Sequence, residues 1–371
     1  MTNLAIYIHW PFCKSKCPYC DFNSHVRESV DQKRWRDGLI AELSHMASHV
    51  PDRVVSSIFF GGGTPSLMPP ETAAALITRV KELWPVTDDI ETTLEANPTS
   101  VETHTFPAFA AAGINRVSLG VQSFDDKELQ FLGRGHSAKE AIAAIELARK
   151  TFDRYTFDLI YARPNQTVQT WQAELKEALQ LVGTHLSLYQ LTIEENTAFH
   201  HAYAKGKFTL PDEETSEALY RTTEEVMAAR GLPAYEVSNY AKPGHESRHN
   251  LAYWKSQEYA GIGPGAHGRV MVDGKRVATQ TIKSPERWLE AVERSSHAIE
   301  VWDIVPPQDA LEERLMMGLR LVAGMDDALL REAINSKKRE LFVREGLLVD
   351  APDRLQATLK GRLVLNRLTA E

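Results

Sequence analysis

All three cysteines of this 371-residue chain fall within one eight-residue stretch, as Cys13, Cys17 and Cys20 in the run YIHWPFCKSKCPYCDFNSH. Thiols this close, with none elsewhere, point to a shared inorganic ligand. Three thiolates can hold three corners of a cubane [4Fe–4S] cluster and leave the fourth iron open to a small molecule. A structural zinc site asks for four ligands, and the chain has no second CxxC pair. His9 or His25 completing a Cys3His zinc site stays open as an alternative. A disulfide leaves one thiol odd, and nothing in the sequence suggests secretion.

The segment Leu4–His9 reads as a first strand, and the N-terminus lacks the basic-then-apolar layout of a secretory signal. No apolar run reaches the length of a transmembrane helix. An oxygen-sensitive cluster without disulfides fits a reducing compartment, so a cytoplasmic location is expected. A formal net charge of −8 argues against a non-specific nucleic-acid binder, which needs a basic face.

Over the first ~240 residues, short β-rich runs alternate with helical stretches. Strands are expected in LAIYIH from Leu4, VVSSIFF from Val54, IETTLEA from Ile90, NRVSLGV from Asn115, YTFDLIY from Tyr155 and THLSLYQL from Thr184. Helices are expected near 30–48, 71–84, 101–112, 137–151, 168–182 and 212–230, with Ser137 and Glu140 placed as a capping box. Six β–α units predict a parallel sheet with right-handed crossovers. Eight units close a TIM barrel, so six predict a partial (β/α)6 barrel, with a doubly wound open sheet as the alternative.

The unusual residues recur at the ends of these strands. The cysteine loop follows the first, Gly61–Pro65 (GGGTP) the second, Glu95-Ala96-Asn97-Pro98 ends the third, and Gln122 follows the fourth. Asp158 lies in the fifth, and Arg134 stands nearby in LGRGH. Parallel α/β folds carry their sites at the C-terminal ends of strands, so these groups are expected to share one site facing the cysteines. The glycine turn would let backbone approach a ligand. An acid at Glu95 could hold a ribose or ammonium group, and Arg134 could pair with a carboxylate.

The core is expected over 1–240, followed by a turn-rich connecting region, 241–304, with the motifs HNLAYW from His249 and GIGPGAHG from Gly261. Residues 305–371 are expected to form a small, mainly helical, winged-helix-like unit. Its helical patterns are ALEERLMMGLRLV and ALLREAINS. His249 is a candidate haem-iron ligand on chemistry alone, although a lone histidine is more often a hydrogen-bonded structural residue. His267 is equally ambiguous.

The motifs GGGTPS, EANP, GVQSF, LGRGH, FDLIYARPNQT, YQLTIEENT, HNLAYW and GIGPGAHG extend the cysteine run through nearly the whole chain. With them the chain resembles the oxygen-independent coproporphyrinogen III oxidase-like branch of the radical S-adenosylmethionine (SAM) superfamily. CDFNS, YQLTIEENT and HNLAYW are most similar to its haem-chaperone members. The resemblance implies a radical SAM barrel with a [4Fe–4S] cluster on Cys13, Cys17 and Cys20. It implies SAM contacts from Tyr7, Tyr19, Gly62, Gly63, Thr64, Glu95, Gln122, Arg134 and Asp158, and haem at His249. It further implies transfer of haem to acceptor proteins, membrane respiratory proteins among them, and an electron donor for the cluster. The alternative is the branch's oxidative decarboxylase, coproporphyrinogen III dehydrogenase. That enzyme carries a further cysteine two positions after the third, where this chain has Phe22, which can neither ligate iron nor exchange protons. A smaller departure is Ala162-Arg163-Pro164, where relatives read Gly-Leu-Pro; it is expected to put a cation beside the site.

Overall fold

A computed structural model describes residues 2–325, 334, 336–352 and 354–370. The strands are β1 Thr2–Trp10, β2 Phe12–Cys13, β3 His25–Val26, β4 Arg53–Gly62, β5 Val86–Ala96, β6 Arg116–Gln122, β7 Arg154–Tyr161 and β8 His185–Gln190. They continue with β9 Asn239–Ala241, β10 Glu258–Ile262, β11 His267–Val272, β12 Lys275–Thr281, β13 Ile299–Ile304, β14 Leu348–Ala351 and β15 Arg354–Ala357. In the main sheet β1, β4, β5, β6, β7 and β8 lie side by side and parallel. The fold is the expected partial (β/α)6 barrel. The sheet runs from β13 at one edge to β9 at the other, and these two strands do not pair.

The helices α1 Gln32–His49, α2 Pro70–Leu83, α6 Ala138–Thr151, α7 Val168–Leu181 and α9 Glu213–Ala229 form the outer layer, with α3 Ser100–Thr103, α4 Phe106–Ala111, α5 Asp126–Phe131 and α8 Ala198–Ala204 as short pieces between. Their ends have local causes. Pro70 opens α2, and Ser137 and Glu140 form the capping box of α6. Gly113, at φ +105°, ends the turn after α4. Leu4, Ile6, Ile8, Val55, Ile58, Leu94, Val117, Leu119, Leu186 and Leu188 are buried between sheet and helices, as expected for strands covered on both faces.

The 241–304 segment does more than connect. It adds β10 parallel to β1 on the side opposite β4, and β11, β12 and β13 continue the sheet antiparallel. It also supplies α10 Arg248–Trp254, packed on β4 and β10, and α11 Pro285–Ser295, packed on α1. Beyond it, α12 Pro307–Gly318, the helix Ser336–Arg344, the β14–β15 hairpin and the helices Leu359–Leu363 and Leu365–Ala370 enclose a second small core around Leu319, Phe342, Leu348 and Leu355. The expected ALEERLMMGLRLV helix is α12; ALLREAINS falls largely outside the described residues. Among the described residues no helix is long and apolar enough to cross a membrane.

Candidate functional site

The cysteine loop begins where β1 ends. Cys13 sits on β2, whose pairing with β3 closes the loop at its base. The Cys20 N–H donates to the Cys17 carbonyl at 3.1 Å. At the far end of the loop, the Asn23 amide donates to the carbonyls of Pro264 at 2.9 Å and Lys283 at 3.0 Å. The GIGPG turn therefore fixes the cysteine loop from behind. Each sulfur has a donor beside it: Thr64 Oγ1 lies 3.4 Å from Cys13 Sγ, Arg134 Nη1 3.2 Å from Cys17 Sγ, and Ser24 Oγ 3.9 Å from Cys20 Sγ. Burial pushes the thiols of Cys13 and Cys20 up, and the neighbouring sulfurs add to the shift. Donors aimed at sulfur tune and stabilise metal-bound thiolates. No three His, Cys, Asp or Glu side chains among the described residues are arranged around a single ion. Thiolates that each take a different iron of a cluster need not converge on one point.

The GGGTP turn locks against the same loop. The Gly63 N–H donates to the Trp10 carbonyl at 2.7 Å and the Thr64 N–H to the Phe12 carbonyl at 2.8 Å. Gly62 holds φ +112°, a conformation L side chains rarely adopt. A methyl group at Gly63 would lie 2.7 Å from the Phe12 carbonyl oxygen, one residue before Cys13. Gly63→Ala is therefore expected to displace Cys13, cost roughly 1–3 kcal/mol by overpacking and lower iron retention after anaerobic reconstitution. Iron assay beside thermal unfolding of the apo-protein checks it, and unchanged iron retention would contradict the tight fit.

Across the sheet, Glu95 on β5 stands opposite Ser118, and Asp158 on β7 opposite Ser187. Burial pushes the Glu95 carboxyl up to about 8, with the Asp158 charge adding to the shift, while the Gly62 N–H at 3.2 Å and Arg116 oppose it. Burial likewise pushes Asp158 up to about 6 against the Ser187 and Ser118 hydroxyls and the Arg116 and Arg134 charges. Two buried acids that resist joint ionisation favour a cationic ligand, which restores the carboxylates by its own charge.

Arg134 joins this acidic wall to the cysteines. Gly133 packs on Pro18, and Arg134 donates to the Gly120 carbonyl at 2.6 Å and to Asn97 and Tyr19 besides Cys17. Three buried polar atoms on this wall have no partner among the described residues: Gln122 Oε1, Arg134 Nε and His136 Nδ1. They amount to two acceptors and a donor, a set that a polar ligand can satisfy. Gln122 reaches this place through a left-handed backbone, φ 74°, at a shift in the β6–β7 register.

These groups line one cavity of about 1180 Å³. It holds Cys13, Cys17, Cys20, Tyr19, Gly62, Gly63, Thr64, Glu95, Gln122, Arg134 and Asp158. Two expected residues do not reach it. Tyr7 lies deeper in the barrel, its hydroxyl 3.0 Å from His9 Nδ1 and its ring against Phe59. His249 is 1 % exposed, and its ring stacks on Phe59 at 4.8 Å between centroids. Both its nitrogens are engaged, Nδ1 with Ser57 Oγ and Nε2 with Tyr253 Oη, each at 3.0 Å. Burial, with Arg116 adding, holds its pKa down at about 3, so the ring is neutral. His267 is exposed at the start of β11.

Arg163 also differs from expectation. It is 4 % exposed and turned away from the cavity, with Nη2 2.6 Å from Glu174 and Nε 3.0 Å from Glu128. The cation is a buried structural tie between α5 and α7. Sequence reasoning missed three cavity groups. Glu102 holds the Asn97 backbone N–H at 2.9 Å and keeps the EANP turn in shape. His136 follows Arg134 in LGRGH, where only its neighbour signals a site. Arg320 comes from the end of α12, remote in sequence.

A cysteine triad, a glycine turn and a buried acid pair thus share the mouth of one partial parallel barrel. The radical SAM superfamily model matches residues 7–178 and the HemN C-terminal domain model residues 305–364. The mouse protein named radical S-adenosyl methionine domain-containing protein 1, mitochondrial, is 37% identical over 99% of this chain and 86% of its own length. Heme chaperone HemW of Haemophilus influenzae is 37% identical over 98% of this chain and 96% of its own. The solved structure of Escherichia coli coproporphyrinogen III oxidase (HemN), a radical SAM enzyme, superposes with a TM-score of 0.82 at 22% identity, covering 100% of this chain and 89% of that one, which speaks to the fold alone. The chain belongs to the radical SAM superfamily and, within it, to the family of the haem chaperone HemW.

Proposed function

We propose that this protein binds a [4Fe–4S] cluster, SAM and haem, and that it passes haem to acceptor proteins, from a cytoplasmic location. One observation carries the reading. A single cavity of about 1180 Å³ has the thiol triad and the acid pair at one end and remains open beyond them. That volume exceeds the roughly 300–1,000 Å³ usual for one drug-sized ligand.

Cys13, Cys17 and Cys20 would hold the cluster, and Gly62, Gly63, Thr64, Glu95, Gln122, Arg134 and Asp158 would surround SAM. A reduced cluster, when bound, supplies one electron to a sulfonium. The chain's own part is to bind, orient and exclude water. Glu95 and Asp158 accept a positive group, Arg134 offers its unpartnered Nε–H, and the Gly62–Thr64 backbone fixes the distance to the cysteine loop. Phe22 lines the same cavity and is 57 % exposed. It offers no acid, base or redox group where the decarboxylase carries cysteine, which supports carriage of a porphyrin over its oxidation.

Haem titrated into the anaerobically reconstituted chain should give a Soret shift saturating near one haem per chain. Coproporphyrinogen III with SAM and reductant should be left unchanged. Absent haem binding together with vinyl formation and release of carbon dioxide would sink the carrier reading in favour of the decarboxylase.

A further inference from the structure

The outer end of the cavity is built differently from the thiol end. Its wall carries the apolar and aromatic side chains of Tyr189, Leu191, Val237, Val364 and Leu365, from β8, the loops beside it and the last two helices with their junction, interleaved with Gln190, Thr192 and Ser238. Tyr189 is 40 % and Val364 41 % exposed. Large apolar side chains left open to solvent on a cavity wall mark the seat of an apolar partner.

Two guanidiniums stand in this wall, and their states differ. Arg362 is committed: it pairs with Glu224 at 2.8 Å and donates to Tyr220 at 3.2 Å. Arg320 has no ion pair among the described residues, and Glu236 feels its charge only at longer range. Its guanidinium lies over the Trp254 ring, 5.6 Å from the centroid. Trp254 closes the HNLAYW helix. A cation resting on an aromatic face is held in place while its N–H groups stay available. HNLAYW thus touches the cavity through Trp254 and Arg320, and His249 is occupied elsewhere.

We propose that haem seats at this outer end, its macrocycle against Tyr189, Leu191 and Val364, with Arg320 taking one of its carboxylates. This rests on the haem-carrier reading above. Haem is planar, largely apolar and dianionic at its edge, and the wall pairs a broad apolar surface with one uncommitted guanidinium. HNLAYW serves here as a positioning element: Trp254 orients Arg320, and His249 packs the barrel interior. Haem and the cluster then share one cavity, covered by the C-terminal unit.

The test titrates haem and haem dimethyl ester, which lacks free carboxylates, into the anaerobically reconstituted full chain and follows the Soret band. Arg320→Ala should weaken haem binding about tenfold, the size of one lost charge-assisted pair, with Arg320→Lys intermediate. The ester should bind wild type and Arg320→Ala alike, and iron content and SAM binding should not change. Val364→Asp, on an exposed side chain, should weaken haem and ester together. His249→Gln should leave the Soret maximum where it is. Should Arg320→Ala and Val364→Asp bind haem as wild type does while His249→Gln loses or shifts the band, haem sits at HNLAYW; the seat proposed here is overturned and the carrier reading survives. No haem binding by wild type overturns both.

Discussion

A Cys17→Ser variant will emerge from anaerobic reconstitution almost free of iron and sulfide, where the wild type carries about four of each per chain. The reasons are arithmetic and geometric. The chain has three cysteines, and all three line one cavity, so no spare thiol can substitute. Serine keeps the shape and offers a neutral, hard oxygen where the cluster needs a thiolate. The fold should not notice the exchange. Cys17 is only partly buried, forms no disulfide, and its thiol meets the Arg134 donor and the Tyr19 hydroxyl. A partly exposed substitution of this kind typically stays within ±0.5 kcal/mol. Metal analysis and the charge-transfer absorbance near the visible edge would follow iron, and thermal unfolding of the apo-protein would follow the fold. Retention of full iron by Cys17→Ser would remove this residue from the cluster. One zinc per wild-type chain, lost in the variant, would instead establish the structural-metal alternative.

The cysteine loop, the glycine turn and the strand-end acids are legible in sequence because each is local: a strand, then a chemically odd residue within a few positions. The six parallel strands are legible for the same reason. Their ends are less so; β5 begins at Val86, four residues before the expected Ile90. The helix expected over 101–112 is two pieces, with Pro107 in the first turn of the second. The 241–304 region hides its strands because they are short and broken by glycine turns, and they become part of the sheet only through β10, which pairs with β1 and carries β11, β12 and β13 in succession.

The histidine and aromatic rings of HNLAYW suggest a haem surface by composition. What decides their orientation is non-local: Ser57 and Phe59 on β4 face the barrel interior, and α10 fills it, turning His249 and Tyr253 inward. Arg163 reads as a site cation because it follows a strand. Glu128 and Glu174, which bind it, are 35 and 11 residues away in sequence. Buried ion pairs assembled across helices leave no spacing to read.

Glu42→Ala should be the most destabilising single change outside the site, on the order of 3–5 kcal/mol, because it strips a buried polar knot of its acceptor. In sequence Glu42 looks like any acid on a long surface helix. In the fold it is 1 % exposed and accepts from the N–H groups of Gly263 at 2.7 Å and Ala298 at 2.9 Å and from Trp288 Nε1 at 3.0 Å. Alanine leaves three buried donors without partners, one of them in the turn that holds Asn23 and with it the cysteine loop. Glutamine keeps one accepting oxygen and turns an amino group toward the remaining donors, so its cost should be smaller than that of alanine. Urea unfolding of the apo-protein measures both, and iron retention should fall with stability. pH gives an independent readout. Burial pushes the Glu42 carboxyl up to about 7 from its ordinary 4.5, against the three donors. A carboxyl raised in the fold binds its proton more tightly there than in the unfolded chain. Its contribution is therefore full below about pH 4.5 and is lost as pH rises through about 7. Glu42→Gln, which cannot titrate, should flatten that part of the wild-type stability profile. An unchanged slope in the variant would show that another group carries it, and a variant as stable as wild type would show that the knot is satisfied without this carboxylate.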